Sequence, residues 1–419
     1  MIQSSHYLLA ILFFLSDSLS AQWTTLPVPP ANRYDDVFFI NDSVGWAASS
    51  NGSILHTRDG GSSWTEQFDA GRYLRSITFA TPMLGFCGSL DFGFYKTTDG
   101  GEHWNNIMGD IDPVLPGICG LSAPTPEVIY GCGIWSSPAY IIKSTDGGDT
   151  WTYTDMSSLA SALVDIHFVS ADTGFVSGKA TAARGNVGTI LYTTDGGMTW
   201  TEKFHTERIQ EYVWKLQSPD DIHYYASIEN DAGGSTLMAR SADKGLTWST
   251  IVVDKDYQYI QTVGFLDSLH GWTGGNATLY ETMDGGDSWT KVIVGVGYNR
   301  FFRINDSTAY LTGGQVYKYS GGLTSIPVPP LPVDEVHILK VHPNPVSDLL
   351  TIDIDLRSKS HCIIHLYSSD GQLLRTILDQ PGVSGKNSFT VSLRDISPQV
   401  LYVSMHTNEG VVSREVVKR

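Results

Sequence analysis

Arginine and tyrosine recur in short segments that lead into apolar strands. Arg72, Tyr73 and Arg75 stand in "GRYLRSITF", Arg208 and Tyr212 in "ERIQEYVW", Tyr257 and Tyr259 in "DKDYQYIQTV", and Tyr298 and Arg300 in "GYNRFFRI", while Trp135 stands in "GIWSSP". Guanidinium groups pair with carboxylates in a fixed fork, and rigid aromatic rings give contact area at low entropy cost. That chemistry suits recognition of a protein or glycan. No CxxC, HExxH or spaced His/Cys cluster is present, so neither a metal nor a cofactor is expected. Acidic residues outnumber basic ones, 44 to 27, for a formal net charge of −17, which argues against nucleic acid as a partner.

Two recurring patterns must position these residues. One is an apolar strand, a short polar turn and a Gly-aromatic pair: "VFFINDSVGWAAS", "ITFATPMLGFCGS", "IHFVSADTGFVSG" and "VGFLDSLHGWTGG". The other is an octapeptide, Ser/Thr-x-Asp-x-Gly-x-x-Trp, found six times. Its Asp and Trp are Asp59 and Trp64, Asp99 and Trp104, Asp146 and Trp151, Asp195 and Trp200, Asp243 and Trp248, and Asp284 and Trp289. An Asp at the head of a turn accepts backbone N–H groups just ahead of it, Gly supplies positive φ, and Trp buries a large ring as the next strand starts. Successive aspartates lie 40, 47, 49, 48 and 41 residues apart, the length of one four-stranded sheet with its connections.

The octapeptides resemble the Asp-box, or BNR repeat, of sialidase-type β-propellers. That resemblance implies a structural role for these Asp and Trp residues, in the hairpin between the third and fourth strands of each blade and on the face away from any substrate. A seventh strand-turn-strand copy, "FFRINDSTAYLTGG", has no Asp-box after it, but "QWTTLPV" near the N-terminus reads as the missing outermost strand. The expectation is an all-β chain with a seven-bladed propeller closed by its N-terminal strand, which leaves only short protected edges. The repeats look most like the group related to the photosystem II stability/assembly factor. From it only fold and a binding role are carried over.

The expected domains are a signal peptide at 1–21, the propeller at 22–320, a Pro-rich linker at 321–336 and a small antiparallel β-sandwich at 337–419. "YLLAILFFL" followed by small residues reads as a cleavable secretory signal, too short to span a bilayer, and no other apolar run approaches membrane length. The tail resembles the type A C-terminal sorting domain of the type IX secretion system of Bacteroidetes, through Pro343-Asn344-Pro345, Asp370-Gly371, the strand-turn reaching Gly410 and the terminal "VVKR". Pro398-Gln399-Val400 departs from the usual Pro-x-Gly. The resemblance implies export by the type IX machinery and cleavage by its sortase, with release outside the cell or attachment to the outer-membrane surface; the chain is expected to be a monomer. Of four cysteines, Cys119 and Cys132 fall on neighbouring strands, where either a disulfide or two thiols fits; Cys87 and Cys362 read as buried thiols.

A noncatalytic surface or extracellular binding module is the expected function, with no catalytic residue assigned. The alternative is a carbohydrate-active hydrolase, sialidase-like or xyloglucanase-like. "FFRIND" has a faint likeness to the Arg-Ile motif of sialidases, yet it falls in the last repeat, whereas theirs precedes the first Asp-box.

Overall fold

The computed structural model describes residues 22–230, 233–321, 337–368, 373–407 and 410–419. The predicted signal segment, most of the linker, and Asp370-Gly371 of the sorting motif lie outside the described residues. The chain divides into two compact units at Gly322/Leu323.

The first unit is a seven-bladed β-propeller. Seven four-stranded antiparallel sheets follow one another along the chain, each with its strands in sequence order except the last. Blade 1 is typical: Tyr34–Phe39 innermost, then Gly45–Ser49, Ser53–Thr57 and Thr65–Asp69 outermost. Blade 7 takes three strands from Phe301–Asn305, Thr308–Thr312 and Val316–Ser320, and its outermost strand is Gln22–Thr25 from the other end of the chain. Trp23 anchors that closure, packing edge-on against Trp272 of blade 6 at 5.3 Å and Tyr319 of blade 7 at 5.4 Å between centroids.

The Gly-aromatic pairs are explained by packing. A Cβ on Gly45, Gly85, Gly174 or Gly271 would fall within about 2.5 Å of the ring of Phe39, Phe79, Phe168 or Phe265, so each phenylalanine lies directly on bare backbone. The aromatic that follows then reaches across a seam. Trp46 of blade 1 stacks on Phe79 of blade 2 at 3.6 Å, and Trp272 of blade 6 on Phe301 of blade 7 at 5.8 Å; where Ala309 replaces the Gly in blade 7, Tyr310 still stacks on Phe39 of blade 1 at 3.7 Å.

Each Asp-box closes on itself. In the first, Thr57 Oγ1 accepts Gly61 N–H at 2.9 Å, Asp59 Oδ1 accepts Ser63 N–H at 2.8 Å, Asp59 Oδ2 accepts the Ser63 hydroxyl at 2.6 Å, and Trp64 Nε1 donates to Gly61 O at 3.0 Å. Gly60 and Gly61 hold φ of 67° and 90°, the left-handed region that Gly enters without penalty. In the fifth box Lys244 takes that first position at φ 64°. The tryptophans are less deeply placed than the motif suggests. Trp104 is buried, but Trp64, Trp151, Trp200, Trp248 and Trp289 are half-buried, because the turn leaves one ring edge in water while the other meets a phenylalanine edge-on, as Trp200 does with Phe168 at 6.1 Å.

The second unit is a small antiparallel β-sandwich built on a long bent hairpin, Leu349–Ser368 and Leu373–Ser392. His337–His342 pairs with the first half of Leu349–Ser368, and Val400–Thr407 with its second half. Both halves therefore fold about one core, which includes Leu350, Ile352, Ile364, Leu366, Leu401 and Val403. Val417 N–H donates to Asn344 Oδ1 at 2.8 Å, tying the Pro343-Asn344-Pro345 turn to the last strand.

Candidate functional site

Hydrogen bonds define two faces of the propeller. Backbone N–H groups in the Asp-box turns donate to the turn between first and second strands of the same blade, as Gly60 does to Ser43 O at 2.8 Å and Gly196 to Asp172 O at 2.9 Å. These two sets of turns share one face. The starts of the innermost strands and the turns between second and third strands share the opposite, open face. Gln22 pairs with Ser320, and Gly321 N–H donates to Ser307 O at 2.7 Å in the first-to-second turn of blade 7. Gln22 and Gly321, the described ends of the propeller, thus stand on the Asp-box face.

At the open end of the axis the innermost strands share a device absent from a regular ladder. Register shifts occur at Tyr34/Asp36, Leu74/Ser76, Leu163/Asp165, Val213/Lys215 and Ile260/Thr262. A bulge inserts an extra residue and re-aims the side chains beside it. The inserted residues are Asp35, Arg75, Val164, Trp214 and Gln261, and Cys119 and Asn299 hold the corresponding places in blades 3 and 7.

These residues bind one another across the axis. Asp35 Oδ1 accepts from Arg33 at 2.6 Å, Arg75 at 2.5 Å and Asn299 at 2.7 Å. Arg75 Nε reaches Cys119 Sγ at 3.4 Å, and its guanidinium lies 5.4 Å from the Trp214 ring centre. Arg33 also donates to Gln261 at 3.1 Å and to the Tyr73 hydroxyl at 2.9 Å. One residue further along the strands, Arg300 bridges two carboxylates: Nε to Asp36 at 2.9 Å and Nη2 to Asp165 at 2.9 Å. Lys215 Nζ lies 3.7 Å from Asp165. Asp36 also accepts Ile77 N–H of blade 2, and Asp165 accepts Leu216 N–H of blade 5, so each carboxylate stitches a seam as well.

Electrostatics in this cluster follow from burial. Desolvation raises the Asp165 carboxyl, but Arg300 and Lys215 more than offset it, and the group ends below its ordinary value. Lys215 is lowered to about 8, by burial first and by Arg300 second, against the pull of Asp165. Beyond the Arg300 bridge a funnel of about 300 Å³ opens toward the Asp-box face, lined by Phe38, Ile77, Leu121, Phe168, Leu216 and Phe302 among others.

The expected rim residues separate into three depths. Trp135 and Tyr257 are exposed, at 51% and 41%. Arg72 reaches Asp91 O at 3.0 Å at the surface. Tyr73, Arg208, Tyr212 and Tyr259 are half-buried: Arg208 pairs with Glu211 at 2.7 Å, Tyr212 lies 4.8 Å under Lys179 Nζ, and the Tyr259 hydroxyl accepts from Gln261 at 3.0 Å. Arg75 and Tyr298 are not rim residues, being 1% exposed each. Arg75 is axial, and the Tyr298 hydroxyl accepts Gly295 N–H at 2.5 Å inside the seam between blades 6 and 7. Arg300 spans the axis. Sequence reasoning passed over Asp35, Asp36, Asp165, Lys215, Gln261 and Asn299. Asp36 and Asp165 share one signal, an acidic residue set directly ahead of apolar-x-aromatic in "DVFF" and "DIHF".

All four cysteines are buried free thiols, so Cys119 and Cys132 form no disulfide. Cys119 N–H donates to Cys132 O at 3.0 Å, but the register sets Gly120 opposite Cys132. Among the described residues no group of His, Cys, Asp and Glu has the arrangement of a metal site, and no helix is long and apolar enough to cross a membrane.

The family model "Photosynthesis system II assembly factor YCF48" matches residues 15–121. The propeller is similar to photosystem II assembly factors. The photosystem II assembly lipoprotein Ycf48 of Synechococcus sp. (strain CC9902) is 25% identical over 280 residues, spanning 62% of this chain and 75% of the relative. A structure of YCF48 bound to D1 peptide superposes with a TM-score of 0.56 at 19% identity, covering 73% of this chain and 98% of that one. PorZ, described as an essential bacterial surface component of the type-IX secretion system of Porphyromonas gingivalis, superposes with a TM-score of 0.52 at 11% identity over 94% of this chain and 61% of its own. At these identities the two structural likenesses speak for fold alone.

Proposed function

We propose that the chain is a noncatalytic binding propeller that engages a protein segment on its open face, and that the C-terminal β-sandwich is a type IX sorting domain that delivers it to the cell exterior or the outer-membrane surface. The observation that carries the first part is the position of the described propeller ends, since Gln22 and Gly321 both stand on the Asp-box face, opposite the one assigned to the partner. The axial carboxylates support binding over hydrolysis. Glycoside cleavage needs one carboxyl kept protonated beside an ionised one, whereas Asp36 and Asp165 share Arg300, and Asp165 is pushed toward the ionised form. A protein of this fold, YCF48, has been captured bound to a D1 peptide, which supports a peptide-binding reading of the propeller.

The delivery reading rests on the sorting-domain resemblance of the tail and is supported by the Pro343-Asn344-Pro345 turn tied to the final strand. Fusion of residues 337–419 to a monomeric reporter in a type IX-competent host tests it. Reporter at the surface or in the medium, with the tail removed, is expected; full-length fusion retained in the periplasm contradicts it. For the propeller, the mature chain is screened on peptide and glycan arrays. Peptide binding abolished by substitutions on the open face is expected, and release of reducing sugar from arrayed glycans contradicts the noncatalytic reading.

A further inference from the structure

One corner of the open face departs from the rest. Phe92, in the turn between the second and third strands of blade 2, has φ 44°, a left-handed conformation that is unfavourable for a bulky L-residue. Its ring nevertheless gains little from burial, being 55% exposed. Trp135, in the matching turn of blade 3, is 51% exposed, and Val114, in the connection between the two blades, is 61% exposed. The three segments touch: Phe92 N–H donates to Pro116 O at 2.9 Å, Ile118 N–H donates to Ser89 O at 2.8 Å, and a Cβ on Gly117 would meet Ser89 O and an Ile134 methyl. Strain in an exposed aromatic, held by neighbours that over-determine it, is the pattern of a binding position rather than of packing.

The corner is mostly acidic, with Arg72 already set against Asp91 at 3.4 Å. Segments 89–92, 107–118 and 133–138 contain Asp91, Asp110 and Asp112 and no lysine or arginine. Asp110 and Asp112 are exposed, and Asp91 keeps a 62% exposed side chain beside Arg72. Aromatic faces attract cations, and nearby carboxylates add to that attraction.

We propose that Phe92, Val114 and Trp135, bordered by Asp91, Asp110 and Asp112, dock a basic segment of a protein partner, with a lysine or arginine side chain laid over the Trp135 and Phe92 rings and its charge directed to the carboxylates. This rests on the binding reading of the open face and names the chemistry of its partner. The strain at Phe92 is then the cost of presenting a ring to that cation.

The test uses the mature chain and a labelled (Gly-Arg)4 peptide, with (Gly-Glu)4 and cellohexaose as comparison probes. Binding of (Gly-Arg)4 alone is expected, weakening as salt rises. Trp135→Ala should weaken it by about tenfold. Phe92→Gly should weaken it comparably while raising the melting temperature, a combination that a purely structural Phe92 would not give. Equal binding of (Gly-Glu)4, preference for cellohexaose, or (Gly-Arg)4 binding untouched by both substitutions would each overturn the proposal. In that last case the broader reading of the open face survives, whereas arrays showing no ligand at all on that face would remove both.

Discussion

The two ends of the propeller are built on opposite plans. On the Asp-box face six turns repeat nearly the same eight residues, and the Asp side chains in them bond within the octapeptide, as Asp59 does with Ser63 and Asp195 with Thr199. At the open end of the axis, seven blades contribute seven different residues, and the bonds run between blades. Arg300 joins Asp36 and Asp165, which lie 264 and 135 positions away in the chain. Local turns make each blade; non-local ion pairs help hold the blades as one ring. Repetition suits the first task because each blade meets the same geometry. It would defeat the second, because a ring of seven like charges would repel itself.

Substitutions can break that contrast. The largest effect is expected at Arg300. Arg300→Met leaves Asp36 and Asp165 buried without their cation, and denaturant unfolding should show a loss of about 3–5 kcal/mol. A loss below the Asp-box effects would mean the axial bridge adds little to the ring. Next is Trp200→Ala. Because the ring is half-buried, the loss should reach only about 2–3 kcal/mol, short of the range for a fully buried aromatic.

Titration separates the two ends by pH. Asp59, held down to about 2 by the Ser63 hydroxyl and N–H, and Asp195, held to about 2 by Thr199, have folded values below their unfolded ones. Their contribution is complete above about pH 4 and is lost as pH falls from about 4 through 2. Lys215 works at the other limb. Its folded value near 8 lies below the unfolded value of a lysine, so the unfolded chain binds more protons between about pH 8 and 10, and this group raises stability as pH climbs through that window. Melting curves from pH 2 to 10 should therefore show an acid limb blunted in Asp59→Asn and Asp195→Asn. Lys215→Met should lose the rise in stability that the parent shows between pH 8 and 10. Identical slopes there would mean that Lys215 keeps an ordinary value. The smallest effect is expected at Lys244→Gly, which restores the residue used at that left-handed position in the other five turns and should stabilise by about 0.5–1 kcal/mol, seen as a small rise in melting temperature.

The same contrast explains what could be read from the chain alone. The Asp-box turns, the Gly-aromatic pairs and the closing strand at Trp23 were legible because their partners sit within a few residues or recur at a fixed interval. Seven blades followed from one seventh copy, "FFRINDSTAYLTGG", and one displaced strand. The axial residues were not legible. A bulge between Tyr34 and Asp36 has no local signature, and nothing near Asp165 announces Arg300. Tyr298 and Arg75 were expected at a rim because both precede apolar strands, yet the bulge sends Arg75 inward and the seam between blades 6 and 7 buries Tyr298. Trp135, read among the loops of the open face, is exposed there. The strain at Phe92 was not legible, since its left-handed backbone emerges only from the fold.

Hydrogen exchange of the mature chain with and without saturating (Gly-Arg)4 tests most directly whether recognition belongs to the open face and stability to the opposite one. New protection confined to segments 89–92, 107–118 and 133–138, with the six Asp-box turns exchanging at unchanged rates, is the predicted result. Protection centred on the Asp-box turns would contradict it.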